Sequence, residues 1–471
     1  MTYLYEGYYE AWLGGKYFLR IAEMHRQYGP IVRITPHEVH FSDPEFLDAL
    51  YPVGGRKTDK PAWFALITGT PYSIVSTTHH DLHRQRRNAL SSFFSTASVH
   101  RLENIMKKHC RALIARLDDA ARHESVLGIH EVFKAITSDV ITQYAFDKSF
   151  DFLQMDDYGR SYFNATNNFF FLTHVCVMLP WVYPLIQGAP DWLLGILFPG
   201  LIQVRSRQKW WLEQVHAIRN SPDPERVSQS IFGGILNSKL PDEEKTDLRL
   251  ASEAQLVVFA GEGTTAWGLN AALFELLANP EELRKVQAEL AELDVDDDGV
   301  PSLSQVEALP YLSAVIQEAL RRHPGVLTRQ MRVSPQVPIT YADRASGKTY
   351  VVPPGVTTSM SPHITHQNAK AFEDPTAFRP QRWIGDAKLG RYFHGFARGS
   401  RNCIGMTLAR REMAIILSTL LIRYDLYSKQ KKGPTMELFD TIRERDVEAR
   451  SDYIIPLAEE GSEGVRIKFR A

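Results

Sequence analysis

Cysteine is scarce in this chain: three in 471 residues, Cys110, Cys176 and Cys403, far apart and with no C-x-x-C pair. That excludes a disulfide framework and fits reduced thiols in a reducing compartment. Charge of either sign is not in excess, with 54 Lys+Arg against 55 Asp+Glu, so nothing global points to a polyanion, and nucleic acid is discounted as a partner. The first 30 residues contain no apolar run of about 18, so neither a membrane-spanning helix nor a signal peptide is expected there, and the chain reads as soluble. Length alone would suggest about three domains. No repeat, low-complexity tract or Ser/Gly linker divides the sequence, however, and the expectation is one domain over residues 1–471.

What is present is mostly helical. Lys16 to Gly29 has helical spacing stopped by Gly29-Pro30. Ile31 to Ser42 reads as two short strands, and Asp43-Pro44 opens another helix. Helices dominate from there to Pro324. Pro338 to Pro362 is rich in hairpins, with ITYA and TYVV flanking DRASGK. The fold class expected is therefore mainly α, with a small β-rich part. Ser161 to Pro190 carries no Asp, Glu, Lys or Arg. His174, Pro180 and Pro184 weaken a transmembrane reading, leaving a buried or membrane-touching helix pair around a loop at Leu179 to Pro190.

Cys403 stands just before a helical run, MTLARREMAIILSTLLIRY. Backbone N–H groups and the helix dipole at that end favour a thiolate, the metal-binding form. Taken singly, a free cysteine is better read as a small buried hydrophobe. Its neighbours change that, because Phe396, Gly399, Arg401, Cys403 and Gly405 fill all five fixed places of F-x-x-G-x-R-x-C-x-G. This resembles the haem-binding loop of the cytochrome P-450 superfamily.

A second motif lies at Ala260-Gly261-Glu262-Gly263-Thr264-Thr265, inside the helical pattern Asp247 to Asn279. Two interior glycines each cost about 1 kcal/mol against alanine. A Thr264 hydroxyl bonded to the Ala260 carbonyl would bend or open the helix, and the glycines would leave a groove. The segment resembles the family's A-G-x-[D/E]-T-T oxygen-binding helix. It departs at the acid position, where Gly263 stands and the carboxylate comes one residue early, at Glu262, turned by about 100°.

The resemblance implies a cytochrome P-450 fold, a large helical domain with a small β-rich subdomain around a buried haem. Cys403 becomes the axial iron ligand. Thiolate ligation favours O–O cleavage, so the expected activity is oxygen insertion. Thr264, with Glu262 and Thr265, takes the catalytic positions that steer protons toward dioxygen. Ala260, Gly261, Phe396 and Gly405 contact the cofactor, and Arg401, Arg332, His83 and Arg87 meet the haem propionates. Glu318 and Arg321, in PYLSAVIQEALRRHP, resemble with Arg382 the superfamily's structural Glu-Arg-Arg network.

The overall style, including YGPIVRITPHEVHFSDPEFLDALY, resembles fungal secondary-metabolism members near the trichodiene-oxygenase-like branch. It implies a lipophilic substrate such as a terpenoid, O2, and NADPH electrons from a separate reductase. It also implies a likeness to monomeric enzymes on the cytosolic face of the endoplasmic reticulum membrane, whose anchor would precede this chain. The family alternative is a reductase-independent peroxygenase or peroxide isomerase. Expected pocket walls are Trp63, Phe64, Phe170, Phe171, Val257 to Ala260 and Val326 to Arg329. Arg84, Arg86, Lys107, Lys108, Arg398 and Arg411 are the expected basic docking face for the reductase.

Overall fold

The computed structural model describes residues 2–197, 199–223, 225, 227, 230–386 and 388–471. Its centre is the long helix Asp247–Ala278. Thr246 caps it by accepting a hydrogen bond from the Arg249 N–H, and Pro280 follows its end. The helix is buried around most of its circumference, as its nearly uniform apolar character requires. It packs chiefly on the helix Ile129–Phe146, and also on Pro199–Arg219, Pro310–Arg322 and Met406–Arg423. Where it meets the first of these, Gly261 has no room for a side chain: a Cβ would lie 2.9 Å from Ile141 Cγ1. The glycines and Thr264 do not break the helix, which runs through them.

The strand content is small and lies to one side. Ile31–Thr35 pairs with Glu38–Phe41, which runs parallel to Thr357–Ser359, and that strand pairs antiparallel with Arg332–Val333. The expected hairpin is present, with Ile339 opposite Val352. A second four-stranded sheet brings Val126–Gly128 and Arg466–Arg470 together with two further short strands. Near the C-terminus Ser451–Tyr453 turns back on Ile455–Leu457. Asp43 caps a 3-10 turn, Pro44–Phe46, before the short helix Leu47–Leu50.

The uncharged stretch lies in the helix Arg160–Met178 and in a short helix, Val182–Gly188, that replaces most of the expected loop at Leu179 to Pro190, and a further short helix, Asp191–Leu197, follows it. Leu179, Trp181, Leu185, Trp192 and Ile196 there are exposed. Among the described residues no helix is long and apolar enough to cross a membrane.

Candidate haem site

The cysteine loop is held from behind by buried charge. Glu318 and Arg321 are fully buried rather than paired at the surface, as an i,i+3 pair on a helix usually is. Two parallel hydrogen bonds of 2.8 Å join them. Arg382 donates to the same carboxylate at 3.1 Å, and so do Trp383 Nε1 and the Arg379 N–H. Arg321 spends its other donors on the carbonyls of His366, Pro375 and Ala377. His366 continues the chain: Nδ1 donates to the Arg321 carbonyl at 3.1 Å and Nε2 accepts from the His394 N–H at 3.0 Å. Gln330 and Tyr51 then tie His394 to the strand region. A buried pair with every donor used is costly to break, by about 3–5 kcal/mol.

That frame presents Phe396 to Gly405 as a tight loop. Gly399 has φ +73°, and a Cβ there would strike the Tyr51 and Pro52 carbonyls. The Cys403 N–H donates to the Phe396 carbonyl at 2.8 Å, and the helix Met406–Arg423 starts after Gly405. Phe396 lies under the Arg410 guanidinium. Cys403 is open to a solvent probe, yet deep enough that burial pushes its thiol pKa up. Both are true of a side chain lining an internal cleft. The Gly405 N–H and Arg87 pull the other way but do not prevail, so helix-end stabilisation alone does not make this thiol acidic.

Beside Cys403 stand five basic side chains: Arg401, Arg332, Arg87, His83 and Lys60. All but half-buried Arg87 are buried. Arg401 donates to the carbonyls of Thr58, Thr77 and Thr78. Lys60 donates to the Val75 carbonyl at 2.7 Å and sits over the Phe64 ring. Arg332 bonds the Met331 carbonyl and lies over Tyr51. Arg87 forks onto the carbonyl and side-chain oxygen of Asn402 at 2.7 and 2.8 Å, so it supports the cysteine loop directly.

Among the described residues no carboxylate forms an ion pair with this group. Burial, then Arg332, lowers Arg401 to about 10, with Asp59 offering the sole opposing influence. Burial, then Arg332 and Arg401, holds Lys60 well below its usual range. His83 is driven to about 2 by burial and then by Arg401, Lys60, Arg87 and Arg332, and is a neutral imidazole. Like charges buried together need an anion. A porphyrin edge with two propionates fits. Lys60 was absent from the sequence reading because no motif contains it; a lysine between Asp59 and Pro61 signals nothing until the fold brings it to Arg332.

On the long helix, Thr264 Oγ1 donates to the Ala260 carbonyl at 2.8 Å, as its spacing predicts. Ala260 is exposed, while Leu256, Val257, Gly261 and Thr264 are half-buried, so one stripe of an otherwise buried helix is open. Gly325 packs against Thr264. Thr265 and Glu262 are buried instead. Glu262 points toward the helix Ile129–Phe146, where its Oε2 accepts from Ser138 at 3.1 Å and its backbone carbonyl from Thr137 at 2.9 Å. Burial raises its pKa to about 7 against the pull of Lys134 and Arg207. The one-residue displacement thus takes the carboxylate off the Thr264 stripe. The expected catalytic position of Glu262 is corrected accordingly.

Two further expectations change. Of the six basic residues expected to form a docking face, Arg86 is bound to Glu244, Lys107 to Asp296, Arg398 to Asp48 and Arg411 to Glu307. Only Arg84 and Lys108 are exposed without a carboxylate among the described contacts. Among the pocket walls, the side chains of Phe170 and Phe171 lie outside the described residues, and Arg329 is a buried ion-pair centre, not an apolar wall.

The model of the family described as Cytochrome P450 matches residues 9–444. The chain belongs to the cytochrome P450 family. A cytochrome P450 monooxygenase of Cochliobolus heterostrophus is 35% identical over 99% of this chain and 90% of its own length. A tryptophan 6-hydroxylase of Fusarium equiseti is 34% identical over 99% and 89%. A cytochrome P450 monooxygenase of Trichoderma arundinaceum is 32% identical over 93% and 83%. The mainly helical fold with small sheets is that of a P450, and the resemblance to fungal secondary-metabolism members near the trichodiene-oxygenase-like branch holds. The enzyme is a P450 monooxygenase, and family membership brings haem with an axial cysteine thiolate.

Proposed function

We propose that Cys403 is that axial ligand and that residues 1–471 form one catalytic domain around the haem. The observation that carries this is the group Arg332, Arg401, Lys60, His83 and half-buried Arg87, which has no carboxylate partner among the described residues and borders the Cys403 loop. Arg332, Arg401 and Lys60 neutralise the propionates. His83 offers a neutral donor, and Arg87 holds the loop through Asn402. Phe396 and Gly405 shape the thiolate side, while Ala260 and Gly261 shape the other. Glu318, Arg321 and Arg382 hold the fold and take no part in the chemistry.

Bound haem supplies oxygen activation, which a thiolate ligand favours by pushing electron density toward the iron. The protein's own contribution is orientation, dryness and proton supply. Thr264 holds a hydroxyl on the open stripe, its proton given to the Ala260 carbonyl and its lone pairs free to accept from water. Thr265, buried one position on, supports the helix. The overall reaction inserts one atom of O2 into a C–H or C=C bond of a lipophilic secondary metabolite. A terpenoid skeleton suits the Leu256, Val257 and Ala260 stripe. The other oxygen atom leaves as water, and NADPH supplies two electrons through a separate reductase.

A monomer on the cytosolic face of the endoplasmic reticulum membrane is supported by a second surface. Leu179, Trp181, Leu185, Trp192 and Ile196 are exposed, as are Leu4, Tyr8 and Trp12 of the N-terminal helices, which pack on the helix Arg160–Met178. Reconstitution tests the reading: with haem, NADPH and a fungal reductase the protein is expected to turn over. Turnover with peroxide alone, and none with NADPH and reductase, would instead establish the peroxygenase or isomerase alternative, which the absence of an acid at Gly263 favours.

A further inference from the structure

A second buried charge cluster lies three residues from the cationic one and has the opposite sign. Arg329 bonds three carboxylates, Glu6 at 2.5 Å, Glu10 at 3.3 Å and Glu38 at 3.1 Å. Asp452 completes the set, its Oδ1 accepting from Thr328 and from the Ile454 N–H. All five charged residues are buried. His174 is the other basic group: its Nε2–H is given to the Asp452 carbonyl at 2.6 Å, and burial lowers its pKa against the pull of Asp452. Four carboxylates therefore face one permanent cation. The cluster carries up to three uncompensated negative charges, and burial raises the pKa of Glu10, Glu38 and Asp452.

The cluster borders a cavity of about 30 Å³ lined by Glu6, Glu10, His174, Thr328, Arg329 and Asp452, with Trp63 and Ile67 as apolar wall. That is room for one water-sized group. Glu10 is only 7% exposed, and its Oε2 has no hydrogen-bond partner, its nearest basic atom being His174 Nε2 at 3.7 Å. Among the described residues no three His, Cys, Asp or Glu side chains converge as metal ligands.

No residue of the long helix lines the cavity, but two segments that line it also reach that helix. Ile454, which lines it, is a β-branched residue held at φ +73°, a conformation retained where the surroundings enforce it. Its neighbour Ile455 is the first atom a side chain at Gly263 would meet, at 4.0 Å. The segment Gly325 to Arg329 runs from Thr264 to the cavity. A ligand lying along the open stripe of the long helix can thus put one end here.

We propose that this cavity is a subsite for the protonated amine of the substrate, with Glu10 and the Asp452 carboxylate as acceptors. It rests on the monooxygenase reading above and narrows its substrate class to a lipophilic body bearing a primary ammonium group. The cavity takes the ammonium alone, which supplies three donors to the unpartnered acceptor side, and the carbon chain lies outside it.

The test uses the haem-loaded protein with cyanide on the iron, so that an amine cannot ligate it. Calorimetry compares 4-phenylbutylamine with the neutral 4-phenyl-1-butanol at pH 7.5. The amine is expected to bind about ten- to a hundredfold more tightly, as a charge-assisted bond gives. Glu10→Gln and Asp452→Asn should each remove most of that preference and leave the alcohol's affinity unchanged. Equal affinities for the two probes, or a preference that survives both substitutions, would overturn the proposal. The reduced carbon monoxide spectrum of each variant reports the haem-thiolate separately, so loss of the amine preference with an intact spectrum bears on the subsite alone.

Discussion

Arg329 and Arg332 are three residues apart on one extended segment, and they sit in opposite worlds. Among the described residues, Arg329 is the sole permanent cation bonded to the buried acidic cluster, whereas Arg332 is one of four basic side chains with no carboxylate to pair with. The first arrangement has negative charge to spare, and the second has the positive charge that we propose cradles the cofactor. Burial is alike in the two, so burial does not tell structure from function here. The balance of charge around each side chain does.

The same substitution at the two positions should therefore have opposite consequences. Arg329→Met leaves Glu6, Glu10, Glu38 and Asp452 without a cation and should cost the chain about 3–5 kcal/mol in urea unfolding; a loss below about 1 kcal/mol would break the comparison. Arg332→Met removes a cation from a repelling group. Haem affinity, read by transfer to apomyoglobin, should fall about ten- to a hundredfold, while the haem-free chain loses little stability. Equal destabilisation of the haem-free chain by both changes would show that Arg332 is merely structural.

Glu10→Gln sharpens the acidic side through pH. The folded-state pKa of Glu10 is raised, so the native state binds more protons than the unfolded one above the ordinary carboxylate range. Stability should fall as pH rises from about 4 toward that raised value. Glu6, Glu38, Asp452, His174, Arg329 and Tyr17 surround the group, and removing Glu10 should flatten the decline in a plot of melting temperature against pH. The smallest effect belongs to Glu262→Gln. Its raised pKa of about 7 predicts the same sign, a mild loss of stability from pH about 4 to 7 that the variant lacks. Product formed per NADPH should not change, because the carboxylate faces Ser138; a marked loss would return Glu262 to the reaction.

What was legible in the sequence follows from distance along the chain. The cysteine loop, the Thr264-to-Ala260 bond and the Glu318–Arg321 pair are set by spacings of ten residues or fewer, and periodicity reveals them. The one-residue shift at Glu262 was visible, but its expected catalytic place was not overturned until the fold showed the carboxylate on Ser138. The acidic cluster joins residues 6, 10, 38, 329 and 452, which no local pattern links. Lys60 joins the cradle in the same way. The expected docking face failed for a like reason: Arg86 and Arg411 look free in sequence, but Glu244 and Glu307 are brought to them by folding. A charged residue's role is set by its partner, and the partner is usually distant in sequence.

The central claim is that Cys403, presented by the loop and flanked by the unpaired cations, holds the haem iron as a thiolate. The optical spectrum of the reduced, carbon monoxide-bound protein tests it most directly. The account predicts the red-shifted Soret band of thiolate-ligated haem in the native chain and its loss in Cys403→Ser. A well-folded, haem-loaded protein without that band, or one that keeps it in Cys403→Ser, would contradict it.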